Sequence, residues 1–452
     1  MLLTIAQAQT PFLPLTADDV LSPYVYVFYV AFLVSFIFTP IMRQVAMYYG
    51  IIDEPDNARK MHKAPVAYLG GVAVFLGWIA GMAISQFLKL HRHDLGLSDY
   101  LRVNFSIVIG ASVIVILGLW DDVLKINPWV KIAGQVFAAM FLLLDGVGTQ
   151  ATQGLFGPVA AWTHLYFGWP HGPDPSFPMW FIITTSSILV ICTVVGCCNA
   201  TNLMDGLDGL CGGVTAIIAA GLLFLAVHLA ASGSGLSANW DGMRVVLGLA
   251  LLGAVLGFIP YNFNPASIFM GDTGSMFLGY ACAIQIILMA QGQHPKWFLA
   301  SMVMFALPVL DTALAFARRW VNGRPLFSAD KFHFHHQLLG RGFTVKQTVL
   351  LSYGLALGFA FLGSTIVFFR TRYAVAFYMV IFGSIIVAAF KMGMVHERPR
   401  AVKRQDLGSG DVLAGGSDLE PSTVLEIHEE QRTTVNVERG AEVPGTWSKN
   451  IS

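Results

Sequence analysis

Charge is what this 452-residue chain has least of: Asp, Glu, Lys and Arg make up 12% of it, while 55% is hydrophobic. A soluble domain carries about twice that share of charge. A soluble fold this apolar would have no means of covering its surface, so the lipid bilayer must be the solvent for most of the chain. The 27 Lys and Arg cancel the 27 Asp and Glu. No bulk electrostatic partner is implied, nucleic acid included. Cysteine is sparse too. Cys192, Cys197, Cys198, Cys211 and Cys282 lie in apolar stretches without a CxxC pair. They read as small packing residues, not as a disulfide framework or metal cluster. The N-terminus lacks the basic start of a signal peptide, so the first apolar run is expected to remain as a span. The internal repeat of many transporters is also missing.

What is present is a succession of apolar runs near the ~20 residues that a span needs. Eleven are expected, at 24–46, 67–88, 104–120, 130–145, 179–197, 209–231, 244–261, 273–291, 297–317, 347–369 and 374–394. The fold class is therefore all-α, a polytopic membrane helix bundle. Residues 1–23 form an extracytoplasmic segment, 24–395 the membrane domain, and 396–452 a polar, basic-starting tail expected to be disordered and cytoplasmic. The loops on one side carry 12 Lys and Arg against 7 on the other. That side is expected to be cytoplasmic, with the N-terminus outside.

The five inner loops hold nearly all the unusual polar residues. The first, "DEPDNARKMHKAP", places Arg59, Lys60 and Lys63 before Gly70-Gly71. Basic groups beside a double glycine can hold phosphate, though two glycines can equally serve helix packing. The second, "WDDVLKINP", pairs Asp121 with Asp122 and adds Lys125 and Lys131. Adjacent carboxylates at a membrane boundary need a cation, and Mg²⁺ prefers oxygen ligands and phosphate substrates. In the third, Asn199, Asn202 and Asp205 recur every three residues, within about 120° of one helix face, before a turn at Asp208. In the fourth, "YNFNPASIFMGDTGS", Asn262 and Phe269 precede Asp272, which glycines frame at the start of a span. The fifth, "DKFHFHHQLLG", carries His333, His335 and His336. That spacing is not the HExxH of a zinc helix, and imidazoles among basic residues suit pyrophosphate oxygens. Asp311, inside the ninth span, either braces this loop through a basic partner or bonds to a neighbouring span. Acids, amides, lysines and histidines on one membrane face are the equipment for metal-assisted phosphoryl transfer.

Together, "DDVLKINPWVKIAGQ", "NATNLMDGLDGL", "NPASIFMGDTGS" and "DKFHFHHQLLGRG" resemble the polyprenyl-phosphate N-acetylhexosamine-1-phosphate transferase superfamily, glycosyltransferase family 4, over about residues 25–395. The interrupted histidine run is similar to the bacterial undecaprenyl-phosphate N-acetylglucosaminyl 1-phosphate transferase branch. The phospho-N-acetylmuramoyl-pentapeptide transferase branch shows three consecutive histidines instead. The resemblance implies a ten- or eleven-helix enzyme of the bacterial inner membrane with a cytoplasmic active-site cleft. It would join a UDP-N-acetylhexosamine to undecaprenyl phosphate with Mg²⁺ or Mn²⁺, and it leaves room for a homodimer. By that likeness Asp272 and Asn202 hold the metal, and Asp121 and Asp122 position or deprotonate the lipid phosphate. Asp205 and Asp208 hold the nucleoside with Phe269 stacking on uracil. Lys63, Lys125, Lys131 and the three histidines neutralise phosphates, and Asn199 and Asn262 belong to the substrate site. One departure stands out: where related first loops read RKxHxxPTPRLGG, this chain has Ala67 and Tyr68 in place of Pro and Arg, so sugar preference or nucleotide contacts in this loop can differ.

Three rivals fit less well. An intramembrane aspartyl protease, suggested by Gly271-Asp272, needs facing carboxylates sheltered from water. A transporter needs polar groups and broken helices at the midplane. A CDP-alcohol phosphotransferase has an Ala-Arg between its aspartates, which Asp205–Gly209 lacks.

Overall fold

The structure, a computed structural model, describes residues 16–53, 65–89, 103–169, 176–232, 238–291, 295–323 and 333–391. The chain divides into Met1–Glu397 and Arg398–Ser452. The second unit lies outside the described residues, as do Lys63 and the rest of the basic run before it.

Helix α1 (Ala17–Leu21) passes through a 3-10 turn into α2 (Val25–Tyr49), so helical structure starts inside the segment expected to precede the first span. A two-stranded antiparallel hairpin follows, β1 (Ile52–Asp53) with β2 (Val66–Ala67), in register Ile52–Ala67 and Asp53–Val66. Then come α3 (Gly70–Lys89), α4 (Phe105–Leu124), α5 (Pro128–Leu144), α6 (Gln153–Phe167), α7 (Met179–Met204), α8 (Leu210–Ala231) and α9 (Ala238–Asn262). The order closes with α10 (Gly271–Ala290), α11 (Pro295–Met304), α12 (Ala306–Val321), α13 (Phe334–Gly340), α14 (Val345–Ile366) and α15 (Thr371–Lys391).

Every run expected to span is helical. Among the described residues, eight helical stretches are long and apolar enough to cross a membrane, nine if α11 and α12 count as one bent span. The remaining two of the expected eleven, α5 and the apolar part of α15, are shorter. The ninth run is not one straight helix: α11 and α12 meet at 72° around Phe305. Pro308 explains the break. It has no N–H to offer the carbonyl of Met304, the last residue of α11, and its ring would crowd that oxygen. In the first turn of a new helix it costs little. Residues 146–178, expected as loop, contain α6 with exposed Trp162, Leu165, Tyr166 and Phe167. Aromatics of this kind suit the water–lipid interface.

The core is built around α10, which packs against α3, α4, α7, α8, α9 and α11. Each of its residues except Asp272 is buried. Small residues make this crowding feasible, because lipid supplies no hydrophobic drive between helices and close backbone approach must replace it. The crossing of α3 with α10 shows the limit. A Cβ on Gly71 would lie 2.9 Å from the Met270 carbonyl and closer still to the backbone of Gly274. The amides of Gly70 and Gly71 are already used, donating to Phe269 O at 3.0 Å and Met270 O at 2.9 Å. Of the two roles open to this double glycine, helix packing is therefore the one it fills.

Candidate functional site

The site begins at the turn between α4 and α5. Lys125 ends α4 in a left-handed conformation (φ +50°), its N–H on the Asp121 carbonyl at 2.9 Å. Asn127 caps α5 by accepting from Trp129 N at 2.9 Å, with Pro128 in the first helical position. This compact turn holds Asp121 and Lys131 together. Asp121 Oδ1 accepts from Ile126 N at 2.9 Å, and Oδ2 lies 2.5 Å from Lys131 Nζ. The same ammonium reaches Asp272 Oδ2 at 2.7 Å, and the Asp121 and Asp272 carboxyls touch each other. One cation thus bridges two acids from different helices. Lys125 itself is exposed at the rim.

Asp122 points the other way, to the start of α10. Its Oδ1 accepts from Asp272 N at 2.8 Å, and its Oδ2 accepts from Thr273 N at 3.1 Å and Thr273 Oγ1 at 2.6 Å. A carboxylate is favoured where helix N–H groups lack partners and the dipole is positive. Gly271 completes the fit: its φ is +72°, and a Cβ there would lie 2.6 Å from Asp122 Oδ2. Both Asp122 oxygens are engaged in aiming Asp272, whereas those of Asp121 meet Ile126 N and the Lys131 ammonium.

Asn202, on the last turn of α7, donates to Ser275 Oγ at 3.0 Å and touches the Asp272 carboxylate. Asn199, one turn earlier, donates instead to Gln135 Oε1 and to Val195 O, both at 2.7 Å. Asp205 ends α7. Burial, followed by the carboxylates of Asp272, Asp122 and Asp208, pushes it up to about 8. Asp208 and Asn262 are ties within the loops. Asp208 Oδ2 accepts from Asn264 Nδ2 at 2.9 Å and Ala266 N at 3.0 Å. Asn262 is 4% exposed; it accepts from Gly209 N at 3.1 Å and donates to Ile268 O at 3.0 Å. Tyr353 of α14 donates to Gly209 O at 2.6 Å. Phe269, half-buried, donates its N–H to Ala67 O at 2.8 Å, beside a parallel bridge between Ala67 and Ile268.

The histidine segment is anchored from inside the bundle. Asp311 Oδ2 lies 3.0 Å from His333 Nδ1, and its Oδ1 accepts from Phe334 N at 2.7 Å at the start of α13. Of the two roles open to Asp311, bracing this loop is the one it fills. The three histidines do not share one environment. His333 and His335 are buried, with rings stacked at 5.8 Å, and His336 is exposed. His335 packs on Gly206, and burial, then the neighbouring His336, lowers it to about 4. It is a neutral imidazole at physiological pH, able to donate one hydrogen bond.

Asp121, Asp122, Lys131, Asn202, Asp205 and Asp272 are therefore brought together, with His335 adjoining through Gly206. Asn199, Asp208 and Asn262 stand behind them, and Lys63 lies outside the described residues. Gln135, Thr273 and Ser275 were missed. Gln135 is a fully buried amide on an apolar helix, a signal that was legible in the sequence. Thr273 and Ser275 look like ordinary small residues of a packed helix, and nothing local marks them.

Among the described residues, no three His, Cys, Asp or Glu side chains are grouped as ligands of one metal ion. Mg²⁺ rarely needs such a group; one or two protein carboxylates suffice when substrate phosphates complete its shell. The oxygen-rich pair Asp272 and Asn202, in contact and half-buried, fits that demand.

Residues 104–290 match the family model described as "Glycosyl transferase family 4". The chain is 33% identical over 390 residues to a Bacillus subtilis (strain 168) protein named "Probable undecaprenyl-phosphate N-acetylglucosaminyl 1-phosphate transferase", covering 84% of this chain and 95% of that protein. It is 31% identical over 370 residues to a decaprenyl-phosphate N-acetylglucosaminephosphotransferase of Mycobacterium tuberculosis (strain ATCC 25618 / H37Rv), with 79% and 85% covered. With an Escherichia coli (strain K12) undecaprenyl-phosphate alpha-N-acetylglucosaminyl 1-phosphate transferase the identity is 28% over 326 residues, covering 71% and 77%. A helix bundle whose Asp121, Asp272 and Lys131 meet at the start of its central helix, and a likeness that runs almost the full length of a relative, place the chain in glycosyl transferase family 4, the polyprenyl-phosphate N-acetylhexosamine-1-phosphate transferases.

Proposed function

We propose that this protein transfers N-acetylglucosamine 1-phosphate from UDP-N-acetylglucosamine to undecaprenyl phosphate, releasing UMP, as the first step of a lipid-linked cell-envelope glycan. The observation that carries the proposal is the Lys131 ammonium seated between Asp121 and Asp272, with Asn202 beside them. The excess of Lys and Arg on the same side supports a cytoplasmic site, an outside N-terminus, and eleven spans with α5 and α15 included. The prenyl tail stays in the bilayer while its phosphate enters the cleft.

In this reaction an oxygen of the prenyl phosphate attacks the phosphorus attached to the sugar. A new P–O bond forms, the bond to the UMP phosphate breaks, and UMP departs with the bridging oxygen and its electron pair. Mg²⁺ or Mn²⁺ held by Asp272 and Asn202 would neutralise the pyrophosphate oxygens. Lys131 adds positive charge and keeps the Asp121 and Asp272 carboxylates apart from full repulsion. Asp121, held at the cleft by Ile126 N and Lys131, is placed to orient the acceptor, while both oxygens of Asp122 serve the α10 N-terminus. Asp205, whose carboxyl is raised by burial and by the neighbouring Asp272, Asp122 and Asp208, is suited to hold the nucleoside. Lys125 adds charge at the rim, and His336 is the exposed histidine.

The test is release of UMP by the purified full-length chain with UDP-N-acetylglucosamine and undecaprenyl phosphate, with and without divalent cation. Cation-dependent release supports the proposal. Folded protein inactive on a panel of UDP-sugars refutes it.

A further inference from the structure

Tyr68 has no part in the reaction set out above, yet the fold takes trouble to place it. Its N–H donates to Ile51 O at 3.1 Å, extending the hairpin by one residue. The next residue, Leu69, is buried at φ +84°, a conformation that bulky residues avoid. That turn lets Gly70 and Gly71 dock on Phe269 and Met270 while Phe269 N docks on Ala67. Tyr68 and Phe269 are thereby held side by side from two distant segments. Their ring centres are 5.9 Å apart and their planes inclined at 58°. The Tyr68 hydroxyl is hydrogen-bonded to the Asp53 carboxylate on the neighbouring strand, and the ring lies within the field of Asp122 and Asp272. Burial, then Asp53, raises the phenol well above its ordinary range, so it stays neutral. Both rings remain half-buried, where a pair serving packing alone would be closed off.

We propose that Tyr68 is a donor-specificity residue: with Phe269 it forms an aromatic corner that receives the flat pyrimidine base of the nucleotide donor, and Asp53 fixes its ring. The inference rests on the donor assigned above and deepens it. A neutral ring beside Asp122 and Asp272 offers a stacking face and leaves their charge free.

The experiment uses the full-length chain in detergent with UDP-N-acetylglucosamine and undecaprenyl phosphate, measuring KM for each substrate, kcat, and UMP binding by calorimetry. Tyr68→Ala is expected to raise the donor KM about tenfold and weaken UMP binding to match, the usual cost of one lost base–aromatic contact. The lipid KM and kcat are expected to stay close to wild type. Tyr68→Leu, which keeps bulk without an aromatic face, is expected to behave like the alanine variant, and Tyr68→Phe to retain most of the affinity. Donor KM and UMP binding unchanged in the leucine and alanine variants, or both substrate KM values rising together, would overturn the inference. A wild-type chain that uses no UDP-sugar would bring down the donor assignment and this inference together. An active wild type with unshifted variants brings down this inference alone.

Discussion

Asp122→Asn exchanges one oxygen for an amino group at the point where α4 meets the start of α10. The native carboxylate accepts three hydrogen bonds, one from Asp272 N and two from Thr273. Asparagine keeps one acceptor oxygen, and its NH₂ must face either Asp272 N–H or the Thr273 donors. At least one bond to a charged acceptor is lost, about 1.5–3 kcal/mol. Removing the negative charge from a helix N-terminus costs about 0.3–2 kcal/mol more. The sum, about 2–5 kcal/mol, loosens the turn that carries Asp272, and a shift of about 1 Å at a reacting centre can cost about 10²-fold in rate. The measurement is twofold: the unfolding midpoint of the purified variant in detergent, and its UMP release. Both are expected to fall. Asp272→Asn is the comparison; it is expected to lose turnover with a smaller fall in the melting midpoint, because its side chain bonds to Lys131 but holds none of the α10 backbone N–H groups that Asp122 holds. An Asp122→Asn protein that melts and turns over like wild type would refute the role of this carboxylate as the brace of α10.

Further outcomes follow from the same geometry. Lys131→Met leaves Asp121 and Asp272 in contact without their shared cation; turnover is expected to drop by about 10²–10³-fold, checked by UMP release at matched expression. Gly71→Val puts a branched side chain into the Gly274 backbone; loss of folded protein is expected, read by size-exclusion in detergent. His335 is held neutral, with its pKa lowered from 6.5 to about 4. Between those values the unfolded chain binds a proton that the folded chain refuses, so stability is full above pH 6.5 and falls as pH drops towards 4. The loss is at most about 3 kcal/mol, and the His335→Asn variant is expected to show a flatter pH–melting curve over that window.

Much of this protein was legible one segment at a time. Apolar length alone located the long helices, eight of which, or nine with the bent pair, can cross a membrane among the described residues, because a span must satisfy its own backbone and needs no partner to be recognised. The chemistry-bearing segments were legible for a related reason: Asp, Asn and His beside apolar runs are costly unless used. Proline already held the break at Phe305, though the apolar count passed over Pro308. Local pattern could not say what each acid does. Asp121 and Asp122 are neighbours in sequence, yet one shares a lysine with Asp272 and the other caps the helix that carries Asp272. Those bonds join positions 141 and 150 residues apart, and only the packing of α4 on α10 decides which oxygen meets which donor. The histidines divide for the same reason: side by side in the chain, they differ in surroundings because the tertiary fold leaves His336 exposed and seals His335 against Gly206.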